Sequence, residues 1–411
     1  MSVTLQDGLT VTFEVSWTTD WNATPSYEDE SAFVKGFRLK RGRSSQFDQF
    51  QAGTLSVDLE NSARLFDPLY ASSTSPGNIV PRKLCRLSIA HNAVTYRLFT
   101  GFLDGLPQYG EPSNKLGWAT LNATDGFKIL ARAKLPTGGA PVGGGDTLSQ
   151  RIGRLLDYVD WPAGMRDIDP VSPTSVETQE VGQPILAQIY EVTNGDLGQV
   201  FVAGDGDFTY RGHAWQLSNN LTAAATLGEN AGEIPYVDPV FDYDDTTIFN
   251  RATATNYTGP PYVLHSSDVS DATSVGRFGE STKDLGLIGV NNMNVVQNTL
   301  EWVLAYHKDP KLRIVSVSLL PRTPVPGPLT MFPVVLGAEI GTRWVFGRRP
   351  QNVGAAISQA VLIEGIEHTM MADTFESKFN LSQAPTAPDG GTYWRMGFGK
   401  ATTGTPAATW A

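Results

Sequence analysis

The chain has 411 residues, about three times the usual domain size, which excludes a single small domain. With 41% hydrophobic and 18% charged residues, its composition is typical of a folded protein with a sizeable core and excludes a largely disordered chain. The net charge of −11 opposes a stable complex with nucleic acid or with an anionic membrane.

Residues 1–131 are predicted to form a β domain. Apolar residues alternate with polar ones in about six short segments, beginning with the segment from Leu9 to Val15. Stretches of turn-forming residues separate these segments, which indicates an antiparallel barrel or sandwich. The N-terminus has the pattern of a strand and not of a signal peptide, and no apolar run is long enough to cross a membrane. We therefore expect a soluble protein made in a cytoplasm.

Residues 132–235 are predicted to form a small α+β insert. A Gly- and Pro-rich run at 136–145 marks its start. Thr147 and Gln150 form a capping box that begins a helix, and a second helix is expected from Pro184 to Asn194. Two short strands around a Gly-rich turn follow at 199–211.

Strands are predicted to return in residues 236–385. The expected strands are 247–256, 261–265, 312–320, 344–346, and 361–367 paired with 374–382, with one helix near 294–307. Residues 386–411 have little charge and no periodic apolar face, which predicts an extended C-terminal arm. Its apolar side chains would be costly to leave in water, so they form a candidate partner interface: Tyr393, Trp394, Met396, Phe398 and Trp410.

No residue pattern predicts a catalytic, cofactor-binding or metal site. Cys85 is alone, and the five histidines lack metal-ligand spacing. His368 is expected to be a strand residue with a hydrogen-bonded ring, and Asp205-Gly-Asp207 is expected to be a hairpin turn and not a calcium loop. The acidic groups that could serve a glycosidase are Asp104 with Glu111, Asp242 with Asp244 and Asp245, and Glu364 with Glu367. Such clusters arise by chance among 42 acidic residues, so the chain is expected not to be an enzyme.

Several sequence motifs, and the order in which they occur along the chain, resemble the tail hub (minor tail) proteins of long-tailed phages of actinobacteria. The N-terminal motifs are Leu39-Lys-Arg-Gly-Arg43, the run from Phe50 to Asn61, Leu65-Phe-Asp-Pro68 and Leu98-Phe-Thr-Gly-Phe102. The later motifs are Asn250-Arg-Ala252, Ser274 to Gly279, Pro310 to Val317, Leu336-Gly337 and Ile363 to His368. The resemblance spans about residues 1–385. One aromatic position is Phe375 where the family often has Trp. With no lysin or fibre pattern after residue 385, the resemblance predicts a short hub and not one fused to an enzyme.

The resemblance implies a mainly β fold with an α+β insert, in which two tube-type β-barrel modules (1–131 and 236–385) flank a small α+β domain (132–235). It implies a homotrimeric ring in the virion, at the tail tip, with DNA passing through its lumen. The implied partners are the distal tail protein or tail tube, the tape measure protein, and downstream tip or fibre proteins. A distal tail adaptor ring is the alternative, and a receptor-binding or cell-wall-hydrolysing tail protein is a further one. Against receptor binding, the nine tryptophans form no cluster in the sequence.

Overall fold

The computed structural model describes most of the chain. The described residues are 3–4, 8–21, 23–110, 117–138, 143–170, 182–194, 196–212, 215, 222–243, 245–258, 263–288, 290, 292–322, 330–371, 374–384, 394–395 and 399–400.

The first region carries nine strands and ends in a short helix. The strands are β1 (Val3–Thr4), β2 (Leu9–Ser16), β3 (Glu28–Asp29), β4 (Val34–Gly42), β5 (Gln51–Glu60), β6 (Leu84–His91), β7 (Val94–Gly105), β8 (Gln108–Gly110) and β9 (Gly117–Thr124). Helix α1 (Phe127–Arg132) follows, where the alternation pattern predicted only strands. With two apolar residues buried at a spacing of three, Phe127 and Leu130, this six-residue helix is too short to be distinguished from a strand by periodicity.

The insert has the two helices and the hairpin predicted from the sequence. Helix α2 (Leu148–Tyr158) begins at the Thr147 capping box, and α3 (Ile185–Asn194) follows Pro184. Strands β11 (Gln199–Val202) and β12 (Phe208–Arg211) are antiparallel, and β10 (Arg166–Ile168) adds a parallel partner to β12. The apolar sides of these elements join the hydrophobic core of the first region.

The second region contains more elements than predicted. One strand at the end of the insert, β13 (Ala225–Leu227), pairs with β19 (Arg343–Arg348) of the second region. The other strands of the second region are β14 (Val237–Asp242), β15 (Arg251–Thr258), β16 (Val263–Ser270), β17 (Thr282–Ile288), β18 (Arg313–Leu319), β20 (Ile357–Met371) and β21 (Thr374–Gln383). Three helices lie between them, α4 (Ala272–Phe278), α5 (Met293–His307) and α6 (Phe332–Leu336), of which only α5 was predicted. In the arm, β22 (Trp394–Arg395) pairs with β23 (Gly399–Lys400).

A single 15-stranded sheet crosses from the first region into the second. Its main path runs β1-β2-β6-β7-β9-β5-β4-β20-β21-β18-β14, and the crossing is the antiparallel pairing of β4 with β20. The mainly β class with few helices is confirmed. The described strands form no closed barrel, because the sheet continues through β4 into β20 instead of closing within each region. A separate three-stranded sheet, β16-β15-β17, packs against α5.

Candidate interaction surfaces

Strands β4 and β20 meet with unusually close backbones. A side-chain carbon on Gly42 would lie 2.3 Å from the carbonyl oxygen of Glu364, and one on Gly365 would lie 2.5 Å from the carbonyl oxygen of Arg43. Gly42 also has φ +93°, a left-handed conformation that favours glycine. The two glycines therefore permit the contact through which the first and second regions share one sheet.

A buried ion pair lies beside these glycines. The Nε of Arg43 donates to Oε2 of Glu364 at 2.7 Å, and the Glu364 side chain is 1% exposed. Gln199 of the insert donates to the same Glu364 oxygen at 3.3 Å, and Ser382 donates to the other at 2.6 Å. One carboxylate thus connects the first region, the insert and the second region.

A second buried cation, Arg41, connects the same three parts. Its guanidinium donates to Oε1 of Glu339 at 2.8 Å and to the carbonyl oxygen of Val202 in the insert. The other oxygen of Glu339 accepts from the backbone N–H of Gly204 at 3.0 Å. Because leaving the buried charge of Arg41, Arg43 or Glu364 unpaired would be costly, these pairs fix how the three parts fit together.

Burial shifts the pKa of three buried groups, two near these ion pairs and one on α5. Loss of solvent raises the pKa of Asp125 to about 7, although its carboxylate accepts from the backbone N–H groups of Gly53 and Phe127. Burial lowers the pKa of His368 to about 3, and the nearby Arg41 charge adds to the shift. As predicted, His368 is a strand residue whose ring contacts Ser377 Oγ, at 2.7 Å. Burial and Arg313 likewise lower the pKa of His307 to about 3.

The outward face of the shared sheet carries a polar strip that crosses the β4–β20 junction. Cross-strand neighbours lie on one face, so the pairing register defines its rows. One row contains Thr124, Thr54, Lys40, Glu367 and Lys378, and the next contains Asn122, Ser56, Arg38, Thr369 and Glu376. With Asp58 beside Thr120, this polar strip has three basic and three acidic residues, all exposed or half-buried. The positive and negative charges of the strip are equal in number, and they are interspersed, with Glu367 between Lys40 and Lys378.

The sheet ends at strands with open edges. Within the described chain no strand pairs with the outer edge of β14, where Val240 is 48% exposed and Tyr243, just beyond it, is 67% exposed. At the other end, β1 and β3 cover β2 over only two residue pairs each. Unpaired strand edges favour the addition of another strand.

Among the acidic residues considered from the sequence, Glu364 and Glu367, both described by the structure, do not face one cleft. Glu364 is buried in its ion pair, whereas Glu367 is on the polar strip. Asp104 is bound to Lys128, and Glu111 and Asp244 lie outside the described residues. Asp205-Gly-Asp207 forms the predicted hairpin turn, in which Asp205 accepts from the N–H of Asp207. The part of the chain that the structure describes contains no cluster of three potential metal ligands, and none of its helices could span a membrane.

The predicted partner interface of the arm is largely outside the described structure. Tyr393, Met396, Phe398 and Trp410 lie outside the described residues, and only the backbone of Trp394 is placed, in β22. This interface stays a prediction.

Solved structures that are similar over most of this chain include tail proteins. A tail protein from Neisseria meningitidis MC58 matches with TM-score 0.59 and 12% identity, covering 93% of this chain and 98% of its own. This chain has the fold of that tail protein. The 43 kDa tail protein of prophage MuSo2 from Shewanella oneidensis (TM-score 0.54, 10% identity) and a prophage tail protein from Listeria monocytogenes (0.50, 10%) each cover 91% of this chain, and 98% and 95% of their own chains. No protein-family model matches the sequence, and a search of the curated proteins gives no significant match.

At these identities the tail-protein likeness establishes the fold alone. The sequence did not reveal that Arg41 pairs with Glu339 and Arg43 with Glu364. The two arginines lie about 300 residues from their partners in the chain. Two of the motifs that resemble tail hub proteins, Leu39 to Arg43 and Ile363 to His368, contain three of these four residues. In the structure they form the two sides of the β4–β20 junction.

Proposed function

We propose that this chain is a non-enzymatic structural protein of a phage tail, made in the host cytoplasm and placed at the tail tip of the virion. The observation that carries the proposal is the tail-protein fold, which extends over 93% of this chain and nearly all of the Neisseria protein. Labelling the chain in assembled particles tests it directly. A label found on the tail tip supports the proposal, and a label on the capsid or absent from particles contradicts it.

The assembly is a homotrimeric hub ring in which modules 1–131 and 236–385 of each copy alternate around a lumen, with insert 132–235 between them. The open edge of β14 supports a head-to-tail contact with the opposite end of the next copy's sheet, because such contacts close into rings. A distal tail adaptor ring of six copies is the alternative.

Mass measurement at high protein concentration separates these assemblies. We expect a mass of three times 44.5 kDa, and six times that mass favours the adaptor ring. A monomer both at high concentration and inside assembled tails contradicts both assemblies. Val240→Lys should shift the ring toward monomers, because a charge would then lie on the β14 edge. Val353→Lys is the matched control, since Val353 is 74% exposed and lies outside the described strands.

The polar strip lines the lumen, and DNA passes it without being held. Its balanced charges support this role, because each phosphate bound by Lys or Arg would have to be released again during passage. The wild-type protein should show no measurable affinity for duplex DNA. The double variant Glu367→Lys, Glu376→Lys should bind DNA in a salt-sensitive way, and Glu301→Lys on α5 serves as control. Tight DNA binding by the wild type would refute the lumen role.

The arm from 386 onward binds a neighbouring tail component, such as the distal tail or tube protein, the tape measure protein, or a tip or fibre protein. Truncation after Ala384 should leave the fold unchanged by circular dichroism and reduce tip assembly. Unchanged particle yield and infectivity would contradict this.

A further inference from the structure

A cavity of about 400 Å³ opens between the first region and the insert. Trp21, Tyr27 and Phe102 of the first region line it, together with Trp161 and Met165 of the insert. Trp21 and Trp161 are 140 residues apart in the sequence, so the fold creates an aromatic cluster where the sequence has none.

The floor of this cavity is preformed. The indole Nε1 of Trp161 donates to the carbonyl oxygen of Met165 at 2.8 Å, and its ring packs edge-on against Phe208. The same ring lies on the backbone of Gly126, where an added side-chain carbon would approach to 2.0 Å. A rigid apolar floor reduces the entropy that a ligand's binding must offset.

An adjacent depression of about 300 Å³ extends the cavity along the surface. Both are lined by Trp21, Phe102 and Ile129, so together they form one groove, which we name the Trp21 groove. Its two parts suit an extended chain segment with one side chain inserted in the deeper part.

Two polar side chains that line the Trp21 groove, Thr100 and Arg86, already have partners within the protein. Thr100 donates to the carbonyl oxygen of Gly204, and Arg86 binds Glu14 through both carboxylate oxygens while lying 3.8 Å from the Tyr27 ring centre. Few groups remain for the hydroxyls of a sugar ring, and hydroxyls buried without partners are costly. The interior therefore favours an apolar side chain over a glycan.

The rim of the Trp21 groove is basic, in contrast to the whole chain. Arg97 lines the deeper part, and Arg82 and Arg132 line the shallower part. All three are exposed, and none has an ion pair with another described residue. Lys128 is paired with Asp104, and Asp205 is the acidic residue of the rim. Three unpaired arginines on a protein of net charge −11 favour an anionic occupant.

We infer that the Trp21 groove binds an extended acidic segment of another protein, with one large apolar side chain inserted beside Trp161 and carboxylates facing Arg97, Arg82 and Arg132. The segment acts as a docking peptide between this chain and a partner. The inference concerns a single copy of the chain, so it stands or fails independently of the ring.

The test is a selection of displayed random peptides of about twelve residues on the full-length protein, run in parallel on the Trp21→Ala variant. Trp21 is 37% exposed, so its removal should leave the fold intact. We expect enriched peptides that combine an aromatic, Leu or Pro residue with flanking Asp and Glu, and that depend on Trp21. Equal enrichment on both proteins, no enrichment on either, or a basic consensus would overturn the inference.

Affinities of the enriched peptide, measured by fluorescence anisotropy, sharpen the result. Trp21→Ala and Arg97→Glu should each weaken binding at least tenfold, and raised salt should weaken it further because the rim contacts are ionic. Trp118→Ala is the matched control, since Trp118 is 42% exposed elsewhere in the first region, and its binding should stay within twofold. A polygalacturonate oligosaccharide that binds more tightly than the peptide would contradict the choice of a protein partner.

Discussion

The β4–β20 junction joins strands about 330 residues apart, whereas the three-stranded β16-β15-β17 sheet joins strands that are neighbours in the chain, and the two differ in their physical conditions. At the junction the backbones approach too closely for side chains at Gly42 and Gly365, and the Glu364 side chain is 1% exposed. In the smaller sheet, Arg251 pairs with Asp268 and Glu280, and all three side chains are at least 37% exposed. Both the junction and the smaller sheet have ion pairs with good geometry. Burial, and not the count of contacts, should decide which region holds the fold together.

Replacing Gly42 with Ala should produce the largest effect. The added carbon would collide with the Glu364 backbone and require a left-handed conformation, so we expect a loss of about 3–5 kcal/mol in the free energy of unfolding. Urea unfolding followed by tryptophan fluorescence measures it. Gly77→Ala is the matched control, because Gly77 has φ +76° but open space around it, and its cost should be about 1–2 kcal/mol. Equal costs would show that the close approach at the junction is unimportant.

Glu364→Gln comes next. It leaves the largely buried Arg43 without a counter-charge, so we expect a loss of about 3 kcal/mol in the free energy of unfolding. A loss no larger than that of an exposed pair would mean that the junction relaxes and admits water.

Acid should destabilise the β4–β20 junction and the surroundings of the smaller sheet alike, since each contains a buried neutral histidine. His368 lies at the junction and His307 lies on α5, and both have pKa values of about 3. Their folded pKa values are below the unfolded value, so the stability they contribute is lost as pH falls below about 6.5. Between pH 7 and pH 5 the two together should lower the free energy of unfolding by about 4 kcal/mol.

Asp125 opposes this loss, because its pKa is raised to about 7 and the folded state takes up a proton more readily than the unfolded state. The wild-type protein should therefore lose only about 2 kcal/mol over that range. Asp125→Asn should restore the steeper dependence, as measured by urea unfolding at pH 7, 6 and 5. An unchanged pH slope in this variant would show that Asp125 stays ionised in the folded protein.

Arg251→Ala should have the smallest effect. The pKa of Arg251 is raised by its two carboxylate partners, yet the group is in contact with solvent and its ion pairs are screened. We expect a urea midpoint within experimental error of the wild type. A loss comparable to that of Glu364→Gln would contradict the view that burial separates the two regions.

The local elements follow from the sequence because their causes are local. The Thr147 capping box, the helix after Pro184, the Asp205 turn and the long hairpin of β20 with β21 all depend on residues close together in the chain. The short helices α4 and α6 were missed, since five to seven residues carry too little periodicity to outweigh neighbouring strand signals.

The sequence by itself determined a mainly β chain with an α+β insert, because hydrophobic alternation and turn residues act over a few positions. Only the tertiary structure decided that the sheet continues from β4 into β20, that Arg43 meets Glu364, and that Trp21 and Trp161 line one cavity. These pairings join residues 140 to about 330 positions apart. Strand periodicity states which face of a strand is buried but not which strand lies beside it, so the partner is chosen by packing of the whole core.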